Sequence, residues 1–242
     1  MNSIEMESTI SKIMPMGITI PSNVVDRLVA SLPHQVDDRA WLVIFYSVAY
    51  AMESATSTTA TLMVARLRSN LWLAFNDVRL LLEPSVLNIQ AMVIMATVSG
   101  NLMTPHKSRS LVVKACTMLL DMGIGVPGRL DDKSRQQYTA IFWRLSFLDQ
   151  LLALVLSKPP IFQRELAKTI PLIEFNQLIL SSSGYTLGRG PLLFNAHYNY
   201  QISLLTRIMA DTWCCFCGKQ AQDVPQVRSH LEIWYLEAVK VT

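Results

Sequence analysis

Residues 142–160 read FWRLSFLDQLLALVLSKPP, a long apolar run that carries two charges and ends in two prolines. Proline lacks an amide hydrogen and disfavours helix in the residue before it, so a helix over this run must end before residue 159. Its bulky apolar residues occupy most of the helix circumference, as in a helix covered on most sides. The sequence therefore predicts a central core helix at about 141–156 in an all-α, irregular multi-helix domain.

A narrow stripe of small or polar residues follows one side of this predicted helix, at 100° per residue. The stripe consists of Ser146, Asp149, Gln150, Ala153 and Ser157. In the simpler interpretation the stripe faces solvent. In the alternative, Asp149 is half buried and accepts hydrogen bonds from a neighbouring segment, because a buried carboxylate requires partners. Arg144 lies on the opposite side, where its stem can pack while its head reaches water.

The bulk composition indicates a helical protein with a large core. Of 242 residues, 51% are apolar and 16% are charged, and the formal charge is only +3. The basic residues are scattered, which does not indicate a nucleic-acid binder. The N-terminus has no pattern of a secretory signal. The two longest apolar runs are 41–52, which Glu53 follows directly, and 142–160, which contains Arg144 and Asp149. Charges at these positions would be unfavourable in lipid. We expect one helical domain over residues 1–242 and no membrane association.

Local patterns predict further helices and their ends. A first helix opens at Pro21 and Ser22 and ends before residue 33, and others cover about 38–52, 63–82, 86–99, 104–122, 194–215 and 224–239. Ser85 and Thr104 are the predicted N-caps of two of them. Gly123 follows a helix end, where a left-handed residue is expected. Loops are predicted at 123–134 and 181–191, and the tract 54–62 is predicted to be a loop or a frayed helix start.

Metal and catalytic sites are poorly supported. Cys214, Cys217 and His230 give three ligands of a finger-like zinc site, but no second histidine follows. Cys214, Cys215 and Cys217 are better explained as partly buried thiols at the end of an apolar helix. No zinc, other metal or cofactor is expected, and no catalytic residue is assigned.

The remaining cysteine and the histidines add no further site. Cys116 lies about a hundred residues from the other three cysteines, so the set resembles no disulfide framework and fits a reducing compartment. The four histidines stand far apart in the chain and are His34, His106, His197 and His230. An enzyme would therefore need a closed apolar pocket in which Asp149 or one of the histidines converges with another titratable group.

The run of residues 142–160 resembles the signature helix of the fungal-specific transcription factor domain, the middle homology region of fungal zinc-cluster regulators. That family pattern is an aromatic pair, an apolar run, Asp-Arg, a second apolar run and Gly-Arg-Pro. Here the aromatic pair is Phe142-Trp143. Asp149 is followed by glutamine instead of arginine, and Ser157-Lys158-Pro159 replaces Gly-Arg-Pro.

Two upstream segments extend the resemblance. The segment 115–124, ACTMLLDMGI, is similar to a family helix that ends in Asp-Leu-Gly-Leu-His-Arg, and Gly123 matches its glycine. The segment 84–98, PSVLNIQAMVIMATV, is similar to the Ser-Ile-Gln-Ala-Leu helix, with Gln90 at the glutamine. The resemblance covers about 70–162, and 163–242 is less regular. The motif positions, with structural or regulatory roles, are Gln90, Gly123, Phe142, Trp143, Asp149 and Pro159.

The resemblance implies a regulatory domain without catalytic machinery that acts in the nucleus, with the cytoplasm as the alternative location. It implies transcriptional control, for instance of a metabolic gene cluster in secondary metabolism, through protein partners, self-association or a small-molecule effector. The family reads DNA with six cysteines around two zinc ions, yet residues 1–115 contain no cysteine, so DNA contact is expected only indirectly. The alternatives are a small-molecule-binding helical enzyme of isomerase or cyclase type, and a pure protein-interaction module.

Overall fold

The structure is a computed structural model that describes residues 24, 26, 27, 36–56, 62–98, 102–126, 128, 131–172, 189–217 and 224–239. Within these ranges, regular secondary structure is α-helical and no β-strand occurs. The predicted all-α fold is therefore confirmed. The predicted helix at 21–32 lies outside the described residues, except for Val24, Asp26 and Arg27, which are helical.

The helices are numbered here in chain order. In the first half of the chain they are α1 (Arg39–Thr56), α2 (Leu62–Phe75), α3 (Arg79–Leu82), α4 (Val86–Val98) and α5 (Pro105–Asp121). In the second half they are α6 (Asp132–Leu156), α7 (Arg164–Thr169), α8 (Arg189–Cys217) and α9 (Val224–Val239).

The chain forms two compact units, Met1–Met122 and Gly123–Thr242. In the first unit, α1 packs against α2 and α4, and α4 packs against α5. Helix α4 is apolar around its whole circumference, as expected of a core helix, and Ile89, Met92 and Ile94 are fully buried. The single domain expected from the sequence over residues 1–242 stays a prediction.

Three predicted ends, on helices α4 and α5, can be compared with the hydrogen bonds and backbone angles there. Ser85 caps α4 as predicted, because its Oγ accepts a bond from the Asn88 amide at 3.1 Å. Thr104 precedes Pro105 as predicted, but its side chain makes no capping bond. Its backbone carbonyl instead accepts bonds from the amides of Lys107 and Ser108. Gly123 has φ +92° after the end of α5, the predicted left-handed conformation.

The helix predicted at 63–82 is interrupted, which corrects that prediction. Asp77 Oδ1 accepts a hydrogen bond from the Arg79 amide at 3.0 Å. The Nη2 of Arg79 also forms an ion pair with Asp77 Oδ2 at 2.7 Å. Aspartate competes with helical backbone bonding through such local contacts. The chain therefore leaves α2 after Phe75 and restarts as the short α3.

Three other predicted boundaries moved. Helix α6 begins at Asp132, inside the predicted loop at 123–134. Helix α1 continues to Thr56, into the predicted loop at 54–62, of which residues 57–61 lie outside the described part of the chain. Helix α8 begins at Arg189 instead of near 194, so the predicted loop at 181–191 ends earlier, and its residues 181–188 also lie outside the described part.

The second unit is organised around α6 and α8. Helix α6 packs against α8, which also contacts α7 and α9. Phe142, Leu145 and Phe162 are fully buried there. The stretch Gln137–Leu156 is long and apolar enough to cross a bilayer by length and composition, but half of its most apolar window is buried inside the protein. Such burial is typical of a core helix.

Candidate functional site

The small and polar stripe of α6 faces the protein interior. Four of its members have no exposed surface, namely Ser146, Asp149, Gln150 and Ala153. The bulky Leu151 and Val155 are instead 38% and 60% exposed. The interpretation that the stripe faces solvent is therefore wrong. The alternative predicted the hydrogen bonds from a neighbouring segment correctly, but Asp149 is fully buried and not half buried.

The Asp149 carboxylate holds the segment that follows α6. Its Oδ2 accepts hydrogen bonds from the backbone amides of Ile161 at 2.6 Å and Phe162 at 2.8 Å. Because prolines at 159 and 160 have no amide hydrogen, these are the first two amides after the proline pair. The neighbouring Gln150 donates from Nε2 to the Phe162 carbonyl at 3.1 Å. Phe162 is thus bonded to α6 through both its amide and its carbonyl.

The chain reverses direction at Ser157, which has φ +51°. The Lys158 amide donates to the Ala153 carbonyl at 2.9 Å, and the Ser157 amide donates to the Leu154 carbonyl at 3.4 Å. This pair of bonds is a Schellman motif, which requires a left-handed residue at its turn. Glycine adopts that conformation without strain, which explains why the family pattern has glycine at this position. Pro159 follows the motif and is exposed.

The aromatic pair at the start of the signature run holds the same segment at two points. The Phe142 ring lies 4.9 Å from the Phe162 ring, measured between centroids. Trp143 donates from Nε1 to the Pro171 carbonyl at 2.8 Å. The guanidinium carbon of Arg207 on α8 lies 5.2 Å from the Trp143 ring centre, within cation–π range. The segment 157–172 is therefore attached to α6 by Phe142, Trp143 and Asp149.

The Arg144 guanidinium, expected to reach water while its stem packs, is instead bonded to a neighbouring helix. Its Nη2 donates to Asn199 Oδ1 on α8 at 3.3 Å. Burial lowers the pKa of the Arg144 guanidinium to about 10, because a charged group is disfavoured away from water. The side chain therefore takes part in the contact between α6 and α8.

The structure brings four of the six motif positions together in the second unit: Phe142, Trp143, Asp149 and Pro159. Gly123 also belongs to that unit, in the turn after α5. Gln90 lies in the first unit on α4, half buried between the fully buried Ile89 and Ala91.

The sequence interpretation missed two participants in this arrangement. Phe162 has a weak sequence signal, an aromatic residue directly after the proline pair and Ile161. Arg207 has none, since a lone arginine within a mostly apolar helix shows by itself no sign of what it contacts.

Among the described residues, no group of three or more histidine, cysteine or acidic side chains could hold a metal ion. Cys116 is buried, while Cys214 and Cys215 are partly exposed. The Cys217 side chain lies outside the described residues.

His230 and Cys215 line a shallow cleft together with Arg164 and Asp211. Its volume is about 20 Å³, room for roughly one water molecule. This cleft does not provide the closed apolar pocket that the enzyme alternative requires.

Comparisons with known proteins point to fungal regulators. A protein of Claviceps purpurea (strain 20.1) named "Transcriptional regulator" is 45% identical over 225 residues, which cover 92% of this chain and 36% of that protein. A Schizosaccharomyces pombe protein named as an uncharacterized transcriptional regulatory protein is 24% identical over 162 residues, which cover 65% of this chain and 24% of that protein. The chain thus spans about a third of the first relative's length and about a quarter of the second's.

No family model matches the chain, and no solved structure matches it. The relationship therefore stands on the two sequence similarities, of which the first extends over nearly the whole chain. This chain is related to a part of longer fungal proteins that are named transcriptional regulators.

Proposed function

We propose that this chain acts in the control of transcription, as a helical regulatory region of the zinc-cluster type of fungal regulator. The observation that carries the proposal is the 45% identity to the Claviceps purpurea protein over 92% of this chain. The arrangement of Phe142, Trp143 and Asp149 around one segment supports it. In this arrangement, each of the three residues that match the family's signature helix holds the segment 157–172 against α6.

The regulatory element in this proposal is the segment 157–172. It is attached to α6 by the carboxylate of Asp149 and by the indole of Trp143. A ligand or partner that binds the attached and detached arrangements with different affinity shifts the equilibrium between them. The protein then works by changing what a partner or an attached DNA-binding segment can do, and needs no catalytic group.

The finer parts of the proposal follow the same resemblance. We propose that residues 1–242 contact DNA only indirectly, which is consistent with the absence of cysteine from residues 1–115. The proposed location is the nucleus, and the proposed targets are genes of a metabolic cluster, such as one for secondary metabolism.

The test is a tethering experiment in a fungal cell. The whole chain is fused to an unrelated DNA-binding domain, and a reporter downstream of its site is measured. We expect reporter output to differ from that of the DNA-binding domain alone. We expect Asp149→Ala to reduce this difference, because the variant releases segment 157–172.

The matched control is Asp121→Asn at an exposed acidic position of α5 in the first unit, compared at equal protein abundance. An unchanged reporter with the abundant wild-type fusion would contradict the proposal.

A second candidate function is self-association, favoured by helix α9. None of its described side chains is buried, and Val224, Leu231, Tyr235 and Val239 are 44–61% exposed. These four residues fall within an arc of about 80° on the helix, whereas the similarly exposed Ile233 and Leu236 lie outside that arc. Apolar stripes on exposed helices pair with a matching helix, and a second copy of this chain offers one.

Sedimentation equilibrium at several concentrations tests self-association. We expect the mass to rise above that of a monomer with concentration, and the double change Leu231→Glu and Tyr235→Glu to restore the monomer. Arg228→Gln on the same helix is the control, since it breaks only an exposed ion pair with Glu232. A monomer at every concentration would remove this candidate.

A further inference from the structure

A cleft between α7 and α8 in the second unit concentrates positive charge. It has a volume of about 180 Å³ and is lined by Arg164, Ala167, Lys168, Arg207, Ala210 and Asp211. Three cations thus face one carboxylate, in a chain whose whole formal charge is only +3. The two alanines are each 3% exposed and leave the space between the longer side chains open.

The single carboxylate of the cleft is already engaged. Asp211 Oδ1 lies 2.6 Å from Arg164 Nε, and both side chains are partly shielded, at 26% and 33% exposure. This pair neutralises one cation. Lys168 pairs with the exposed Glu165 at 3.1 Å, and exposed pairs of this kind hold a lysine weakly. The positive charge of Lys168 and Arg207 therefore remains available to an incoming anion.

Arg207 is held in place before any ligand arrives. Its guanidinium lies over the Trp143 ring, and its Nη2 donates to the Ile170 carbonyl at 3.4 Å. Its Nε is buried and has no acceptor among the described residues. Burial lowers the pKa of Arg207, and the nearby Asp211 partly opposes this effect. A bound oxyanion beside the guanidinium would further stabilise its charged form.

We infer that this cleft binds a small oxyanion, the phosphate group of a phosphorylated metabolite, through Arg207, Lys168 and Arg164. Guanidinium groups match the geometry of phosphate oxygens and bind them with two parallel hydrogen bonds. Because Arg207 and Trp143 join α8 to the segment 157–172, occupancy of the cleft reinforces the attached arrangement. This inference deepens the proposed function, on which its regulatory meaning rests, whereas the binding itself can be measured without it.

Isothermal titration calorimetry of the whole chain with inorganic phosphate tests the inference, with sodium chloride at matched ionic strength as the blank. We expect saturable binding with a dissociation constant of about millimolar or below. Lys168→Met should weaken binding about threefold, and Arg207→Met about tenfold or more, because charge-assisted hydrogen bonds are lost. Asp211→Asn should instead tighten binding, since Asp211 is the one carboxylate among the described residues that line the cleft.

Arg228→Met on α9 is the matched control and should leave phosphate affinity unchanged. If Arg207→Met does not fold, Lys168→Met and Asp211→Asn still decide the question by the opposite signs of their effects. No saturable heat with phosphate, or equal affinities in all variants, would overturn the inference.

Two further titrations distinguish a soluble phosphorylated metabolite from a lipid headgroup or DNA as the source of the phosphate group. A soluble sugar phosphate should compete with inorganic phosphate, whereas vesicles of phosphatidylinositol phosphate and duplex DNA should not. Competition by the vesicles or the DNA alone would overturn the small-metabolite assignment. If the chain binds phosphate but leaves the tethered reporter unchanged, the proposed function is contradicted and the phosphate site is not.

Discussion

Asp149 shows how one residue can organise a segment. Its carboxylate has no exposed surface and accepts two backbone amide hydrogen bonds, at 2.6 and 2.8 Å. Charge-assisted bonds of this kind are short and about twice as strong as neutral ones. If the carboxylate is removed, the amides of Ile161 and Phe162 stay buried without this acceptor.

We therefore expect Asp149→Ala to lower the free energy of unfolding by about 3 kcal/mol, since each buried unsatisfied donor costs about 1–3 kcal/mol. Asp149→Asn keeps one carbonyl oxygen and should lose less. Urea unfolding followed by circular dichroism gives both values. Asp121→Asn should change stability little, and an equally small loss for Asp149→Ala would show that the carboxylate does not hold the segment.

Ser157 is a non-glycine residue in the left-handed region, with φ +51°. An L-residue there costs roughly 1–2 kcal/mol more than glycine. We expect Ser157→Gly to raise the free energy of unfolding by about 1 kcal/mol, less the added entropy of glycine in the unfolded chain.

The opposite change at Gly128 is the matched comparison for Ser157→Gly. This glycine has φ +75°, and an added Cβ would meet no atom within 4 Å. Gly128→Ala should therefore destabilise by about 1 kcal/mol through backbone strain alone. Thermal unfolding of both variants checks the pair. Destabilisation by Ser157→Gly would contradict the assignment of strain to the Schellman turn.

At the scale of the element, a helix can end where a side chain takes the backbone hydrogen bonds that the helix would otherwise use. Asp77 ends the run that begins with α2 because its carboxylate binds the backbone and the guanidinium of Arg79. This hydrogen-bonded contact lowers the pKa of Asp77 from its ordinary value of 3.8. Apolar periodicity continues across residues 76–78, so the pattern alone predicts one helix where the structure has two.

The lowered pKa of Asp77 gives a pH dependence with a defined sign. A carboxyl whose folded pKa is depressed contributes stability above its ordinary pKa and loses it as pH falls through the folded value. We expect a carbon-13 NMR titration of the Asp77 carboxyl to have its midpoint below 3.8, and Arg79→Met to move the midpoint upward. A wild-type midpoint at or above 3.8 would remove the contact as the cause of the helix break.

At the scale of the whole molecule, the weak net charge and apolar composition differ from those typical of a DNA-binding domain. Its formal charge is +3, and the cations of the cleft between α7 and α8 are too few for an extended phosphate-binding surface. Non-specific DNA binding depends on many phosphate contacts and on released counterions. Contacts of this chain with DNA should therefore be few.

We expect the purified chain to show no preference among duplex sequences. Any weak binding should disappear between about 50 and 200 mM salt, since it rests on charge alone. Fluorescence anisotropy with a promoter fragment and a shuffled duplex of the same composition measures both effects. Sequence-selective binding that persists in the higher salt would contradict indirect DNA contact.

The sequence by itself determined the all-α fold, the cap at Ser85, the left-handed Gly123 and the helix end before Pro159. Each depends on residues within a few positions of one another, so local chemistry suffices. Only the tertiary structure decided which face of α6 is buried, what Asp149 binds, and where Arg144 and Arg207 point. Those outcomes depend on partners 12 or more residues away, such as Ile161 and Asn199. Periodicity shows that a stripe differs from its surroundings, but not which segment packs against it.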